Sequence, residues 1–251
     1  MTNARNKVAI VTGGGRGIGR AIVDRLRQDG ATVVTCGRGE RPADLHPDVV
    51  WVTGDVSRSE DVKHIVGSAA ERGDICVLVN NAGVQIEKTV PDTTDGDWDQ
   101  LIGVNCKGVF NMCREVLPGM AERGGNIVNL GSISAMVADP AMAIYNASKG
   151  FVHSLTRSIA VDHGPMVRCN AVSPGWIMTE MAESGFALAK DPQKARADSL
   201  ARHPARRFGT PQDVAKAVVW LISDESSFVT GHCITIDGGL TAASPLQPGL
   251  F

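Results

Sequence analysis

Residues 12–19 read Thr-Gly-Gly-Gly-Arg-Gly-Ile-Gly and continue the mostly apolar run Lys7–Thr12. The run predicts a buried β-strand, and the amphipathic pattern over about Gly17–Asp29 predicts a helix that begins within the glycines. Glycine allows a sharp turn and a close approach of the backbone to a ligand, while a helix N-terminus attracts phosphate. The stretch therefore predicts a strand–loop–helix unit that binds the pyrophosphate of a dinucleotide.

Short apolar runs alternate with longer amphipathic segments along the rest of the chain. Further strands are predicted at Thr32–Cys36, Val49–Thr53, Ile75–Asn80, Asn126–Leu130, Val167–Val172 and Cys233–Ile236. Further helices are predicted at Ser59–Arg72, with Ser59 as N-cap, and at Asp97–Met120, Tyr145–Asp162 and Gln212–Ser223. Apolar strands separated by helices are typical of a parallel sheet covered on both faces. We therefore predict a single doubly wound, Rossmann-type α/β domain over residues 1–251, with a seven-stranded parallel sheet.

One long segment, between Gly175 and Pro211, departs from this alternation and contains the apolar residues Met178 and Phe186. Long insertions in compact domains are often lids or binding loops. We predict a substrate-binding lid at about residues 176–210, with a helical pair packed permanently on the body as the alternative.

Composition and charge exclude several classes of function. The 251 residues carry a net charge of −2, which gives no electrostatic basis for binding nucleic acid or an anionic membrane. We see no secretory signal and no apolar run long enough to span a bilayer. The six cysteines are scattered without a Cys-x-x-Cys pair, so we expect reduced core residues of a cytoplasmic protein and no bound metal.

The chain contains a single tyrosine, Tyr145, four residues before Lys149. Positions i and i+4 share one face of a helix, so the phenol and the ammonium lie together. A nearby cation favours the phenolate and lowers a pKa that is ordinarily about 10, which makes a usable acid/base. Because Tyr-x-x-x-Lys also occurs by chance on helix surfaces, other motifs have to decide whether the pair is catalytic.

The glycine spacing Thr-Gly-x-x-x-Gly-x-Gly resembles that of the short-chain dehydrogenase/reductase family, and further similarities follow in order over nearly the whole chain. They are Asp55-Val56, Asn80-Asn81-Ala82-Gly83, Asn105, Ser132, Tyr145 with Lys149, Asn170–Gly175 followed by Thr179, and Ile236-Asp237-Gly238-Gly239. Each piece alone is weak, but chance does not place all of them in order. The resemblance implies a nicotinamide-dependent oxidoreductase that interconverts a secondary alcohol and a ketone by hydride transfer.

The resemblance implies that Asn105, Ser132, Tyr145 and Lys149 are the catalytic residues. Ser132 would hold the substrate oxygen, and Tyr145 would give or take its proton. Lys149 would lower the pKa of Tyr145 and grip the nicotinamide ribose, while Asn105 would anchor a water that passes protons between Lys149 and solvent.

The resemblance also implies a set of cofactor-binding residues. They are Gly13, Gly15, Arg16, Gly17, Ile18, Gly19, Gly37, Arg38, Asp55, Val56, Asn81, Ala82, Gly83, Tyr145, Lys149, Pro174, Gly175, Ile177 and Thr179. NAD-preferring family members usually carry Asp at the position of Gly37, whereas Arg16 and Arg38 match basic positions of NADP-preferring members. Since a guanidinium can pair bidentately with phosphate, we predict that NADP(H) is favoured and that NAD(H) is possible.

The substrate is the least determined feature. The residues predicted to face it are Ser132, Gln85, Met136 and Trp176. With their mostly apolar neighbours they favour a small-molecule ketone or secondary alcohol with a hydrophobic body. A 3-oxoacyl carrier-protein reductase, with Arg123 at a basic docking position, and a sugar or polyol dehydrogenase are alternatives, as is a non-catalytic dinucleotide sensor.

Family members usually form tetramers, so the resemblance implies a homotetramer or a homodimer. The apolar tail Pro245–Phe251 is predicted to pack on a neighbouring subunit or on the substrate loop, with fraying in solvent as the alternative.

Overall fold

The computed structural model describes residues 8–187 and 189–243, so the predicted role of the tail Pro245–Phe251 lies outside the described residues. Seven strands form one parallel sheet in the order β3-β2-β1-β4-β5-β6-β7. The strands are β1 (Val8–Thr12), β2 (Thr32–Gly37), β3 (Val50–Thr53), β4 (Ile75–Asn80), β5 (Gly125–Leu130), β6 (Val167–Pro174) and β7 (Cys233–Ile236). This confirms the predicted doubly wound α/β sheet.

Helices cover both faces of the sheet. They are α1 (Gly17–Gln28), α2 (Ser59–Ala70), α3 (Asp95–Ile102), α4 (Val109–Arg123), α5 (Ala143–His163), α6 (Glu180–Ala187), α7 (Pro192–Ala201) and α8 (Pro211–Ile222). The order of the strands reverses between β1 and β4, and in such sheets ligands bind beyond the carboxyl ends of the strands at that point. The residues that follow β1, β4 and β5 are therefore the candidates for a ligand-binding site.

The central strand β1 is buried on both faces, which explains why its sequence is continuously apolar. Val8 and Ile10 pack in the core on one side of the sheet, and Ala9 and Val11 pack in the core on the other side. The first core includes residues of α2, α4 and α5, and the second includes residues of α1 and α8. The end of β1 is thus held rigidly between two hydrophobic layers.

The predicted helix Asp97–Met120 is divided into α3, a π-helical stretch at Gly103–Gly108, and α4. A π-helical stretch changes the backbone hydrogen-bonding pattern without changing which residues are apolar, so periodicity alone does not show it. The other element ends coincide with the prediction or differ from it by one or two residues, as element ends commonly do.

The prediction that Ser59 is an N-cap is wrong. Arg58 is the N-cap of α2 and makes no side-chain cap, while Ser59 is the first helical residue. Its hydroxyl accepts a hydrogen bond from the guanidinium of Arg114 on α4, at 3.2 Å. A tertiary contact therefore uses the hydroxyl that the sequence suggested for local capping.

The segment predicted as a lid contains α6 and α7. Its two ends are joined, because the Met178 N–H donates to the Gly209 carbonyl and the Gly209 N–H donates to the Trp176 carbonyl, both at 2.9 Å. The Phe186 ring stacks on Trp176 at a centroid distance of 5.1 Å and contacts Phe208 at 5.6 Å. Within the described residues, no helix is both long and apolar enough to cross a membrane, and no cluster of metal-binding side chains occurs.

Candidate active site

The ends of β1 and β4 are fastened together by Thr12 and Asn81. The Thr12 hydroxyl oxygen accepts the N–H groups of Asn81 and Ala82, both at 3.0 Å. The Asn81 amide donates in turn to the carbonyls of Thr12 at 2.9 Å and Gly13 at 3.1 Å. Asn81, predicted to bind the cofactor, therefore also holds the start of the glycine loop in place.

The glycine loop has no room for side chains at two positions. A Cβ atom on Gly14 would lie 2.2 Å from the Thr35 hydroxyl oxygen, and one on Gly19 would lie 2.3 Å from the Gly13 carbonyl oxygen. The loop leads into α1, whose N-cap, Arg16, makes no side-chain hydrogen bond to the helix. The first N–H groups of α1 are thus left without a capping side chain, and a phosphate is a suitable acceptor for them.

The adenosine end of the predicted cofactor site contains an aromatic residue that sequence reasoning missed. The Trp51 indole on β3 lies where a side chain at Gly37 would go, because a Cβ atom there would be 2.6 Å from Trp51 Cη2. A Cβ atom on Gly15 would be 3.3 Å from the same ring. No sequence motif indicates this contact. The sequence shows only that a tryptophan lies in the third predicted strand, and the structure pairs that strand with β2.

The predicted basic residues and Asp55 border this same end of the site. Arg38 is exposed directly after β2, and exposed Arg16 forms an ion pair with Glu180 on α6 at 3.6 Å. The Asp55 carboxylate accepts the Ser57 N–H at 2.9 Å, which leaves its second oxygen available to another donor. Arg16 therefore links the glycine loop to the predicted lid.

Tyr145 and Lys149 lie one turn apart on α5, with Lys149 Nζ 5.5 Å from the centroid of the Tyr145 ring. Lys149 is 6% exposed and donates to the Leu130 carbonyl at 2.8 Å. Burial lowers the pKa of Lys149 to about 8. Burial raises the pKa of Tyr145, which a hydrogen bond with Ser132 opposes and the charge of Asp139 reinforces. The expected net lowering of the Tyr145 pKa is therefore wrong for this structure, because burial of the phenol outweighs the hydrogen bond with Ser132.

Asn105 lies in the π-helical stretch and binds the loop after β4. Its Oδ1 accepts the Val84 N–H and its Nδ2 donates to the Val84 carbonyl, both at 2.9 Å. Nδ2 also donates to Ser148 Oγ at 3.1 Å, and Ser148 donates to the Tyr145 carbonyl at 2.7 Å. These bonds connect the predicted catalytic Asn105 to the helical turn that carries Tyr145.

Gly83 borders the space between two predicted catalytic groups. A Cβ atom on Gly83 would lie 3.4 Å from Asn105 Oδ1 and 3.9 Å from Lys149 Nζ. Both groups therefore face the volume that the missing side chain leaves open. Such a volume suits a small polar ligand, as the predicted water-anchoring role of Asn105 requires.

Ser132 and Ser134 are buried after β5 and form a short chain of hydroxyl groups. The Ser132 hydroxyl donates to Ser134 Oγ at 2.9 Å, and the Ser134 hydroxyl donates to the Asp139 carboxylate at 2.6 Å. Sequence reasoning missed Asp139, since no motif marks it. The Asp139 carbonyl accepts the Asn146 side-chain amide at 3.1 Å, which fixes its loop to α5.

A buried histidine next to the site was also missed. His153 lies one turn beyond Lys149 and makes a 2.7 Å hydrogen bond between its Nε2 and Ser173 Oγ on β6. Burial lowers the pKa of His153, and the positive charges of Arg157 and Lys149 lower it further. The sequence does not indicate this hydrogen bond, because a single histidine in an amphipathic helix belongs to no motif.

The remaining cofactor residues predicted after β6 lie between the sheet and α6. The Gly175 N–H, next to Pro174, donates to the Ile236 carbonyl at 3.0 Å. Ile177 is buried, and the Thr179 methyl group would be 3.5 Å from a Cβ atom on Gly17. Thr179 therefore reaches the start of α1. Two further predicted residues contact the cores: Ile18, in α1, packs against the core on its side of the sheet, and Val56 packs in the other core, beside α4.

The predicted substrate residues are only partly brought together. Met136 and Trp176 are 52% and 38% exposed, so they offer apolar surface to a ligand. Gln85 is exposed and donates to the Glu87 carboxylate at 2.7 Å. Arg123 is at the far edge of the sheet, where it pairs with Asp74 at 3.0 Å, so it does not border the site of its own chain.

Comparison with known proteins places this geometry in a family. Residues 13–241 match the family model described as enoyl-(acyl carrier protein) reductase. A 3-oxoacyl-[acyl-carrier-protein] reductase of Thermotoga maritima is 39% identical over 249 residues, covering 93% of this chain and 97% of that protein. An NADP-dependent (R)-specific alcohol dehydrogenase of Lentilactobacillus kefiri is 38% identical over 251 residues, covering 95% and 98%.

The fold agrees with the sequence comparison. The ligand-free structure of Thermoplasma acidophilum aldohexose dehydrogenase superposes with a TM-score of 0.92, at 36% identity over 98% of each chain. The family match spans the glycine loop, Tyr145 and Lys149. The chain therefore belongs to the short-chain dehydrogenase/reductase family and is an NAD(P)-dependent oxidoreductase that acts on CH–OH groups.

Proposed function

We propose that the protein interconverts a secondary alcohol and a ketone with a hydrophobic body, that it prefers NADP(H), and that Tyr145 transfers the proton. The observation that carries the proposal is the arrangement at the carboxyl edge of the sheet. Ser132 hydrogen-bonds with Tyr145, and buried Lys149 lies beneath the same ring. A phenol, a hydroxyl and an ammonium in this order suit proton exchange with a bound oxygen atom.

The residues present fit a dinucleotide. The uncapped N–H groups at Gly17–Gly19 would hold the pyrophosphate, and Asp55 and Val56 would border the adenine. Lys149 would bind the nicotinamide ribose, and Ile177 and Thr179 would fix the carboxamide. When bound, the nicotinamide supplies the hydride chemistry, while the protein supplies position and the proton.

Proton transfer is the part of the reaction that the chain's own side chains perform. Tyr145 gives its proton to the substrate oxygen in reduction and removes it in oxidation. Lys149, with a pKa of about 8, changes its protonation state near physiological pH and can renew the proton of Tyr145. Asn105 would anchor the water that connects Lys149 to solvent through the space at Gly83.

The preference for NADP(H) rests on the adenosine end of the site. Gly37 leaves no carboxylate to repel a 2′-phosphate, Arg38 follows it directly, and both Arg16 and Arg38 are exposed. The relative from Lentilactobacillus kefiri is NADP-dependent by name. The test is kcat/KM with each cofactor, and a clear preference for NAD(H) would overturn this part of the proposal.

Exposed Met136 and Trp176 favour a hydrophobic substrate. A panel of cyclohexanol, 1-phenylethanol, glucose and a hydroxybutyryl thioester with NADP⁺, followed by the absorbance of the reduced nicotinamide, tests this. We expect the two hydrophobic alcohols to give the highest kcat/KM. A preference for glucose would favour the sugar dehydrogenase alternative, and a preference for the thioester would favour the carrier-protein reductase. Binding of NADPH without turnover of any substrate would favour the sensor.

We further propose a homotetramer, or a homodimer, in the cytoplasm. Phe110 on α4 and Phe151 on α5 are exposed, as are Trp220 on α8 and Phe228 after it, and such apolar surface suits contacts between subunits. Within the described residues the six cysteines form no disulfide, which suits a reducing compartment.

A further inference from the structure

Arg16 lies between the adenosine end of the site and the predicted lid. A Cβ atom on Gly15, just before it, would be 3.3 Å from the ring of Trp51, which borders the adenosine end. A Cβ atom on Gly17, just after it, would be 3.5 Å from the methyl group of Thr179, near the start of the lid. The residues on either side of Arg16 thus face two different parts of the molecule.

The charge of Arg16 is used on the lid side. Its Nη1 lies 3.6 Å from Oε2 of Glu180, in the first turn of α6. The two side chains are 78% and 79% exposed, so packing does not hold either of them in place. Because the lid and the adenosine end lie on different sides of Arg16, the guanidinium can turn toward one anion or the other.

We propose that Glu180 is a specificity-determining residue for the cofactor, because it competes with the 2′-phosphate of NADP(H) for Arg16. This inference rests on the proposed function, in which Arg16 binds that phosphate. NAD(H) carries a hydroxyl group in place of the phosphate and has no charge to offer Arg16. Glu180 therefore lowers the affinity for NADP(H) relative to NAD(H), and the chain prefers NADP(H) less strongly than it would without this carboxylate.

The expected size of the effect is that of one exposed ion pair. Such a pair corresponds to about two- to fivefold in an equilibrium constant. Salt screens exposed charges, so the effect is largest at low ionic strength and should shrink in about 0.5 M salt. The ratio of the Kd for NADH to the Kd for NADPH is the quantity that decides, because any effect of the lid on the nicotinamide end is common to both cofactors.

Glu180→Gln removes the charge and keeps the size of the side chain. We expect the ratio of the NADH Kd to the NADPH Kd to rise about two- to fivefold, measured by fluorescence titration of the reduced nicotinamide at low ionic strength. Glu183→Gln is the matched control. Glu183 lies in the same turn of α6 but pairs with Arg196 on α7, also at 3.6 Å, so its loss should leave the ratio unchanged.

A double variant separates competition for Arg16 from direct repulsion between Glu180 and the phosphate. Arg16→Gln alone should weaken NADPH and change NADH little. Adding Glu180→Gln to Arg16→Gln should then leave the ratio unchanged, because no guanidinium remains to compete for. An effect of Glu180→Gln that is equally large with and without Arg16 would show direct repulsion and overturn the proposal.

A fragment of the cofactor tests the effect without the nicotinamide. Adenosine 2′,5′-bisphosphate carries the 2′-phosphate but does not extend to the nicotinamide end. Its Kd, measured by isothermal titration calorimetry, should fall in Glu180→Gln by about the same factor as the ratio rises. An unchanged Kd for the fragment would place the effect of Glu180 at the nicotinamide end and overturn the proposal.

The outcomes distinguish this inference from the proposed function. If Arg16→Gln weakens NADPH alone but Glu180→Gln leaves the ratio unchanged, the competition does not occur and only this inference fails. A ratio that falls in Glu180→Gln would show that Arg16 holds the carboxylate and the phosphate together, which also overturns it. If Arg16→Gln weakens NADPH and NADH equally, Arg16 does not bind the 2′-phosphate, and both its proposed role and this inference fail.

Discussion

At the scale of single residues, the site depends on Tyr145 and Lys149, and the ionisation of both side chains is controlled by their burial. Tyr145 and Lys149 share one face of α5, as their spacing predicted. Burial raises the pKa of Tyr145 and lowers that of Lys149, so it favours the neutral form of both groups. Sequence spacing shows which groups meet. It does not show how much water they lose, because that depends on Leu130, Ser132 and the covering loops.

The first residue-scale prediction concerns Tyr145. Tyr145→Phe should retain cofactor binding and lose about 10²–10⁴-fold in kcat, because positioned acid/base catalysis contributes about that much. The measurement combines steady-state kinetics with fluorescence titration of NADPH. Near-normal turnover in this variant would contradict the assigned role of Tyr145.

The second residue-scale prediction concerns the effect of pH on stability through Lys149. Its pKa is lowered from 10.5 to about 8, so between these values the unfolded chain binds a proton that the folded chain does not. Stability from this group is therefore lowest below pH 8 and rises toward pH 10.5, by roughly 3 kcal/mol in all.

Urea unfolding of the wild type and of Lys149→Met at several pH values measures this effect. The free energy of unfolding of the wild type minus that of the variant should increase from pH 8 upward. A difference that stays constant with pH would show that Lys149 titrates at its ordinary pKa.

At the scale of secondary-structure elements, contacts between neighbours decide features that each element's own sequence does not reveal. The π-helical stretch places Asn105 against Val84 and Ser148, and β3 places Trp51 against Gly37. Strand positions were predictable from apolar runs. Trp51 pairs in register with Thr35, and only the packing of β3 on β2 brings its ring to Gly37.

This alignment leads to a prediction about cofactor preference. Gly37→Asp should lower the melting temperature and not produce good NAD(H) activity, because the new Cβ would lie 2.6 Å from the Trp51 ring. Gly37→Asp combined with Trp51→Val should recover stability and raise kcat/KM for NAD(H) relative to NADP(H). Trp51→Val alone is the control. Efficient use of NAD(H) by the single Gly37→Asp variant would show that Trp51 does not restrict this position.

At the scale of the whole molecule, the strand order brings residues far apart in sequence to one edge of the sheet. Thr12, at the end of β1, is joined by a hydrogen bond to Asn81, which follows β4. Ser132, which follows β5, forms a hydrogen bond with Tyr145 of α5. The same packing leaves Phe110 and Phe151 exposed on adjacent helices. An apolar surface of this kind is where we expect a second subunit to bind.

The corresponding prediction is that the protein elutes as a tetramer or dimer and that Phe151→Lys shifts it toward the monomer. A charged side chain in the centre of an apolar contact loses hydration without gaining a partner. Size-exclusion chromatography with light scattering measures the mass of each species. Lys63→Met, a change at an exposed position on α2, is the control, and an unchanged mass for Phe151→Lys would place the contact elsewhere.

The sequence by itself determined the sheet, because glycine geometry and apolar periodicity are local properties, and its resemblance to the short-chain dehydrogenase/reductase family implied the reaction class and the four predicted catalytic residues. Only the tertiary structure decided how those groups are tuned. The burial of Lys149, the indole beside Gly37 and the chain from Ser132 to Asp139 arise where separate segments meet. Water exclusion and hydrogen-bond direction depend on these long-range contacts, and no spacing along the chain encodes them.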